Sequence, residues 1–331
     1  MKLRAAIVGA GLMGRWHATN VARAGGEVAA VCDVDLRAAQ RLARSHRARV
    51  YAQIADALAA GKIDIVHVCT PLSEHFEPAS AALSRGVHVL IEKPMAVDRH
   101  QTERLYQLAG EHRALLCPVH QFVFQRGVQQ ALAELPRIGQ LRHFEATFCS
   151  AGGAGKSGQE LDDIVSEILP HPLSLMNLFV PGSLREQNCA VHRPEAGEFR
   201  ATLSAHGIWC SILISMSNRP TTAALSLRGT EGTTHVDLFH GFSILEPGAV
   251  SKWRKISRPF DLSLRTFAAA GANLFQRAVR RELAYPGLRE IIRAFYKAVA
   301  SGRPPPVKDS DAIEIAGARD LLRQKMNLKS Q

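Results

Sequence analysis

Three glycines close to the N-terminus stand where main chain could bind phosphate. Gly9, Gly11 and Gly14 follow the G-x-G-x-x-G spacing within Gly9-Ala10-Gly11-Leu12-Met13-Gly14. The first suits a tight turn, the second lets backbone approach a pyrophosphate, and the third lets a helix pack closely on a strand. Peptide N–H groups at the start of such a helix, reinforced by its dipole, attract a diphosphate. Asp33 follows about 20 residues later, where a carboxylate can accept hydrogen bonds from a ribose diol.

These groups act only if strand, turn, helix and second strand form around them. Leu3 to Val8 is an apolar run that reads as a buried parallel strand. A helical pattern runs from the glycines to about Ala24, and Val28 to Cys32 reads as the next strand, ended by Asp33. The alternation continues: Leu36 to Ser45 is helical, Val50-Tyr51 extended, Ile54 to Ala60 a short helix, and Ile63 to Cys69 a buried strand closed by Thr70-Pro71. His75 to Ser84 is a helix, Val87 to Ile91 a strand ending in Glu92-Lys93-Pro94, Arg99 to His112 a helix, and Leu115 to Val119 a strand. Strands separated by helices of this length give a doubly wound parallel sheet. Ligands of such sheets bind beyond the carboxyl ends of the strands, where Asp33, Thr70 and Lys93 all fall.

Near His120 the pattern changes. Val123 to Leu135 is helical, and extended runs follow at Leu141–Cys149, Cys189–Val191, Phe199–Ala205, Ile208–Met216, Thr222–Gly229 and Thr233–Leu238. Their short connections argue for a mostly antiparallel sheet. The expected domains are residues 1–119, binding dinucleotide, and residues 120–331, an α+β domain for substrate binding and oligomerisation. The helices at Leu288–Ala300 and Ser310–Lys325 are candidates to pack back on the first domain. Leu262 to Glu282 is helical and amphipathic, with Leu264, Phe267, Leu274, Phe275 and Val279 apolar and Arg277, Arg280 and Arg281 basic. A packed surface helix is the expectation there, and contact with a membrane surface or a partner is the alternative.

Composition narrows the class. The 331 residues suit two domains, and 46% hydrophobic with 21% charged residues fits a globular protein. No apolar run is long enough to span a bilayer. The chain enters its first strand at once, so no signal peptide is expected. Six scattered cysteines lack zinc spacing, which points to buried free thiols and a reducing cytoplasm. The histidines form no ligand spacing either, so no metal is expected. The net charge of +11 comes from arginines spread along the chain, which favours a solvated basic surface over nucleic-acid binding.

Taken together, the glycine motif, Cys69-Thr70-Pro71 with His75, Glu92-Lys93-Pro94 and the segment around His171 resemble the Gfo/Idh/MocA family of nicotinamide-dependent oxidoreductases. The resemblance implies an α/β fold: an N-terminal Rossmann domain plus a C-terminal α+β domain with a mostly antiparallel, open-faced sheet. It implies that Gly9, Ala10, Gly11, Leu12, Met13, Gly14, Asp33, Thr70, Pro71, His75, Glu92, Lys93 and Gln121 line a cofactor site. Lys93 then sits beside the nicotinamide and the reacting hydroxyl, where an ammonium can hold a developing alkoxide, and the Lys93-Pro94 bond is cis. His171 becomes the proton acceptor or donor. Glu167 stands where the family has an Asp, four residues before the His, and supports it. Pro170 directly before His171 bends the helix or starts it there. His17, on the first helix, reads as structural.

Asp33 repels a 2′-phosphate, so NAD is the expected cofactor, with NADP admitted because Arg37 lies within a turn of Asp35. The implied activity is hydride transfer between nicotinamide and a secondary alcohol or ketone of a sugar, nucleotide sugar, cyclitol or similar small molecule. The rival readings are redox-assisted hydrolysis or elimination with retained NAD, and a regulatory protein that has lost its chemistry. An open-faced sheet also implies a homo-oligomer, dimer or tetramer.

Overall fold

The computed structural model describes residues 2–185, 188–248, 251–282 and 284–328. Contacts group them into two compact units. The chain begins with β1 (Arg4–Val8), α1 (Leu12–Arg23), β2 (Glu27–Cys32), α2 (Leu36–His46), β3 (Arg49–Tyr51), α3 (Ile54–Ala60) and β4 (Ile65–Val68). It continues through α4 (Phe76–Leu83), β5 (His88–Ile91), α5 (Arg99–Glu111) and β6 (Leu116–Pro118). Next come α6 (Arg126–Glu134), β7 (Leu141–Cys149), α7 (Gly158–Ile168), α8 (Pro170–Phe179), β8 (Cys189–His192) and β9 (Glu198–Ala205). The last elements are β10 (Ile208–Ser215), β11 (Thr222–Gly229), β12 (Gly232–Asp237), β13 (Phe242–Pro247), α9 (Lys252–Arg280), α10 (Leu288–Ser301) and α11 (Asp309–Leu328).

The first unit comprises residues 2–120 with 288–317, so α10 and the start of α11 belong to it. Its six strands run in the order β3-β2-β1-β4-β5-β6, each neighbouring pair parallel. The central strands bury nearly every residue, as strands covered on both faces must. Strand order reverses between β1 and β4, which opens a crevice at their carboxyl ends. Two of the helices around the sheet, α2 and α5, start on side chains that satisfy their free N–H groups. Asp35 accepts from the amides of Arg37 and Ala38, and Asp98 accepts from that of Gln101.

The second unit holds a seven-stranded sheet in the order β13-β12-β11-β7-β10-β9-β8. All pairs are antiparallel except β7 with β10. Residues alternate buried and half-buried along β12, so one face is covered and the other is open. Phe144, Ile212, Leu225 and Val236 lie on the covered face. On the open face Arg228 donates to Glu145 across neighbouring strands at 2.6 Å, and Trp209 is half exposed. The fold class expected from the sequence is the one observed.

Four details differ from the sequence reading. The helix expected from Val123 to Leu135 is cut into a short 3-10 turn at Gln121–Phe124, α6, and a second turn at Leu135–Ile138 that contains Pro136. β13 adds an edge strand, and the amphipathic helix begins ten residues earlier than expected, at Lys252. Finally, α9 is not packed through its apolar face. Its half-buried side carries Leu262, Thr266, Asn273 and Gln276, and Asn273 and Arg277 both donate to the carbonyl of His240 at 3.1 Å. The mostly polar side meets the protein, and the large apolar side chains face outward.

Candidate functional site

The glycine turn joins β1 to α1 under tight steric limits. Gly9 has φ of +95°, and a Cβ there would lie 2.6 Å from the Cys69 carbonyl oxygen. A Cβ on Gly14 would lie 1.8 Å from the Gly9 carbonyl oxygen. Packing within the protein therefore demands glycine at both positions. Gly11 differs: a Cβ there meets nothing within 4 Å among the described residues. No side chain among the described residues caps α1, whose first turn carries no acid. The turn thus presents uncompensated N–H groups beside open space, a cradle that fits a diphosphate.

Asp33 is fixed to this turn. One carboxylate oxygen accepts from the Ala10 amide at 2.6 Å, the other from the Asp35 amide at 2.8 Å. Each oxygen keeps a second lone pair, so the carboxylate can still accept from two hydroxyls.

At the end of β5 the chain places Glu92 in the interior and Lys93 half-buried, followed by a cis Lys93–Pro94 bond. Lys93 donates its amide to Glu92 at 3.2 Å. His75 is buried and turned inward. Its Nδ1 lies 2.9 Å from the Pro94 carbonyl oxygen and its Nε2 2.8 Å from that of Thr70. It clasps the loops that follow β4 and β5, and so positions Thr70, Pro71 and Lys93 together.

Glu92 is the end of a buried polar chain. His17 Nε2 lies 3.0 Å from Glu92 Oε1, His17 Nδ1 lies 2.8 Å from His67 Nδ1, and His67 Nε2 lies 2.9 Å from the Tyr296 hydroxyl. With neutral rings and an ionised Glu92, one proton arrangement satisfies every contact. Tyr296 donates to His67, His67 donates to His17, and His17 donates to the Glu92 carboxylate. The surroundings agree. Burial, and then the charge of His17 were it protonated, hold His67 well below its ordinary range. Burial pushes Glu92 up, but the His17 hydrogen bond and the neighbouring charges outweigh it and hold the carboxyl below the usual range. Burial, then the Lys93 charge, lowers His120 to about 4 against the opposing pull of Glu92. His120 Nδ1 has no hydrogen-bond partner among the described residues.

In the second unit, Glu167 and His171 fall on two helices instead of one. Glu167 is exposed on the last turn of α7, and His171 is buried in the first turn of α8. Pro170 causes the division, since it has no N–H to donate to the Ser166 carbonyl four residues back. The buried Arg319 donates to that carbonyl instead, Nε to O at 3.1 Å. Arg193 grips α7 through a two-bond contact with Asp162, at 3.2 and 2.5 Å, and Gly197 donates to the same carboxylate at 3.0 Å. The His171 ring lies 4.4 Å from the Phe122 ring and is stacked on Phe148 at 6.1 Å, which fixes its plane. Gln121 is buried in the turn before α6.

Sequence reasoning missed two members of this site, His67 and Tyr296, and gave His17 no more than a structural part. His67 left one signal, an ionisable residue inside the apolar run of β4. Tyr296 left none. Among the described residues no group of three His, Cys, Asp or Glu is arranged to hold a metal. Burial pushes the thiols of Cys32, Cys117 and Cys210 up to about 12, which makes them inert.

A parallel sheet with an uncapped glycine turn and a fixed carboxylate at its switch point defines a dinucleotide-binding unit. Residues 3–120 match the family model described as an oxidoreductase family with an NAD-binding Rossmann fold. This N-terminal part of the chain belongs to that family, Gfo/Idh/MocA. The chain is 32% identical over 176 residues to UDP-N-acetylglucosamine 3-dehydrogenase of Acidithiobacillus ferrooxidans, covering 52% of this chain and 53% of that one. It is 24% identical over 217 residues to scyllo-inositol 2-dehydrogenase (NADP(+)) IolU of Bacillus subtilis, covering 62% and 66%. The chain therefore spans between half and two thirds of these curated relatives. The solved structure of UDP-N-acetylglucosamine 3-dehydrogenase GnnA from A. ferrooxidans matches with a TM-score of 0.78 over 100% of both chains at 22% identity, a likeness of fold.

Proposed function

We propose that this protein is an NAD(P)-dependent dehydrogenase or reductase acting on a secondary alcohol or ketone of a sugar, nucleotide sugar or cyclitol. The observation that carries the reading is the glycine turn. Gly11 borders open space, the helix start is uncapped, and Asp33 is already oriented by Ala10. Nicotinamide supplies the hydride chemistry when bound. The remaining roles fall to side chains. Gly9 to Gly14 hold the diphosphate, and Asp33 holds the adenosine ribose, with a preference for NAD over NADP. Thr70, Pro71 and Glu92 shape the far end of the cofactor cleft, and Gln121 contacts its nicotinamide end or the substrate. Lys93 stabilises negative charge on the substrate oxygen. The His17 hydrogen bond and the neighbouring charges keep the Glu92 carboxylate ionised next to Lys93. His171, held between Phe122 and Phe148, accepts or returns the proton, with Glu167 in support.

A panel of sugars, nucleotide sugars and cyclitols with NAD and NADP, read by NADH or NADPH absorbance, tests the reading. Lys93→Met is expected to lower kcat by about a hundredfold or more while NAD still binds. Turnover close to wild type in that variant contradicts the assignment. The open face of the second sheet, with Trp209 half exposed, supports the expected homo-oligomer, which sedimentation velocity measures directly. Six free thiols suit a reducing compartment such as the cytoplasm.

A further inference from the structure

Helix α9 carries more exposed apolar surface than a monomer retains without a use. Trp253, Ile256, Phe260, Leu264 and Phe267 recur every three or four residues, Leu274, Phe275 and Val279 follow on the same side two turns later, and all are 66–81% exposed. At about 100° per residue they fall on one stripe, opposite the side held by Asn273 and Arg277. The helix is 29 residues long, about 43 Å. With aromatics contributing about 150–250 Å² each, the stripe exposes on the order of 1,000 Å². The largest apolar patch of a typical monomer is only about 300–600 Å².

The area alone would suit either a second copy or a lipid surface. Charge separates them. Between Lys252 and Arg281 the sequence has eight lysines and arginines against one acid, Asp261. Arg258 is paired with Glu246 and Arg265 with Asp261. Even counting Glu246 and Glu282 at the two ends, the segment keeps a large positive excess. Lys255, Arg258 and Arg265 share one groove with Phe260 and Leu264 and with the acids Glu246 and Asp261, so charged groups border the apolar stripe there and the groove keeps one cation in excess. Two copies pairing along this stripe would bring like charges together along their flanks. An anionic bilayer instead receives the aromatic stripe below its headgroups and the cations among them. No helix among the described residues is long and apolar enough to cross a membrane, so the contact is interfacial.

We propose that α9 seats this protein on the surface of a membrane rich in anionic phospholipid, with its aromatic stripe in the headgroup–acyl boundary. The test is flotation of the full chain with phosphatidylcholine vesicles that contain, or lack, about a third phosphatidylglycerol. Binding is expected to be on the order of a hundredfold tighter to the anionic vesicles, since several cations act together. It should be released by 1 M salt, where the Debye length falls to about 3 Å. Trp253 emission should shift to the blue on binding, and Trp253→Phe should remove the shift. Phe260→Ser with Phe267→Ser, both on the exposed stripe, should weaken binding more than tenfold without lowering affinity for NAD. Failure to float, or equal binding to both vesicle types, overturns the proposal. So does a stable dimer of the wild-type chain that this double substitution dissolves.

Discussion

Tyr296→Phe isolates the buried chain behind Glu92, because it removes one oxygen and leaves the ring. In the native arrangement the hydroxyl donates to His67 Nε2 at 2.9 Å, and both residues are almost fully buried. Without it, that nitrogen faces the interior with no donor, which costs about 1–3 kcal/mol. Reversing the rings cannot recover the loss. If His67 moved its proton to Nε2, His17 would have to donate through Nδ1, and its bare Nε2 would then face the Glu92 carboxylate at 3.0 Å. Equilibrium urea unfolding is the assay, with the midpoint expected to fall and the slope to stay constant. Glu92→Gln tests the same chain from its other end. In the double variant the two losses should overlap, with a coupling of about 0.5–3 kcal/mol. Losses that simply add would show that Tyr296 and Glu92 are not joined through His67 and His17. A Tyr296→Phe midpoint equal to wild type would refute the proton arrangement outright.

Three further outcomes follow from the first unit. Gly11→Ala should fold with wild-type stability, since its Cβ meets nothing, yet lose at least about tenfold in NAD affinity; Gly14→Ala should destabilise, and the contrast is read by calorimetry with and without NAD. Asp33→Ala should narrow the preference for NAD over NADP by weakening the first and relieving repulsion of the second, as titration with each cofactor will measure. Stability should fall on acidification. His120 stays neutral when folded down to about 4 but takes a proton near 6.5 when unfolded. The unfolded chain therefore binds more protons across that window, and stability declines as pH drops through it, by about 3 kcal/mol from this group. Urea midpoints at several pH values check the slope, which His120→Gln should flatten; a slope unchanged in that variant counts against the assignment.

What the sequence disclosed and what it concealed divide along a physical line. Gly9, Gly11, Gly14 and Asp33 were legible because each answers a demand made by residues close along the chain: a tight turn, a helix start, a strand end. The order of strands and helices was legible for the same reason, since each element declares its own period. Periodicity also showed that Leu264, Phe267 and Leu274 share a face, but a period says nothing of what covers it. The α9 stripe was accordingly expected to be packed, whereas Asn273 and Arg277 hold the opposite side. Partners from distant chain were hidden altogether. Pro170 announced a missing donor at the Ser166 carbonyl, yet only the folded chain supplies Arg319 to replace it. His67 makes the same point more sharply. An imidazole inside an apolar strand costs several kcal/mol unless it is hydrogen-bonded, so the sequence of β4 states the requirement. Tyr296, 229 residues away, meets it, and nothing in its own neighbourhood marks it for that task. A buried polar residue in an apolar run is thus a readable demand whose answer lies in the tertiary structure. His67 and Tyr296 lock the proton order of His17 and Glu92, and with it the ground on which Lys93 stands.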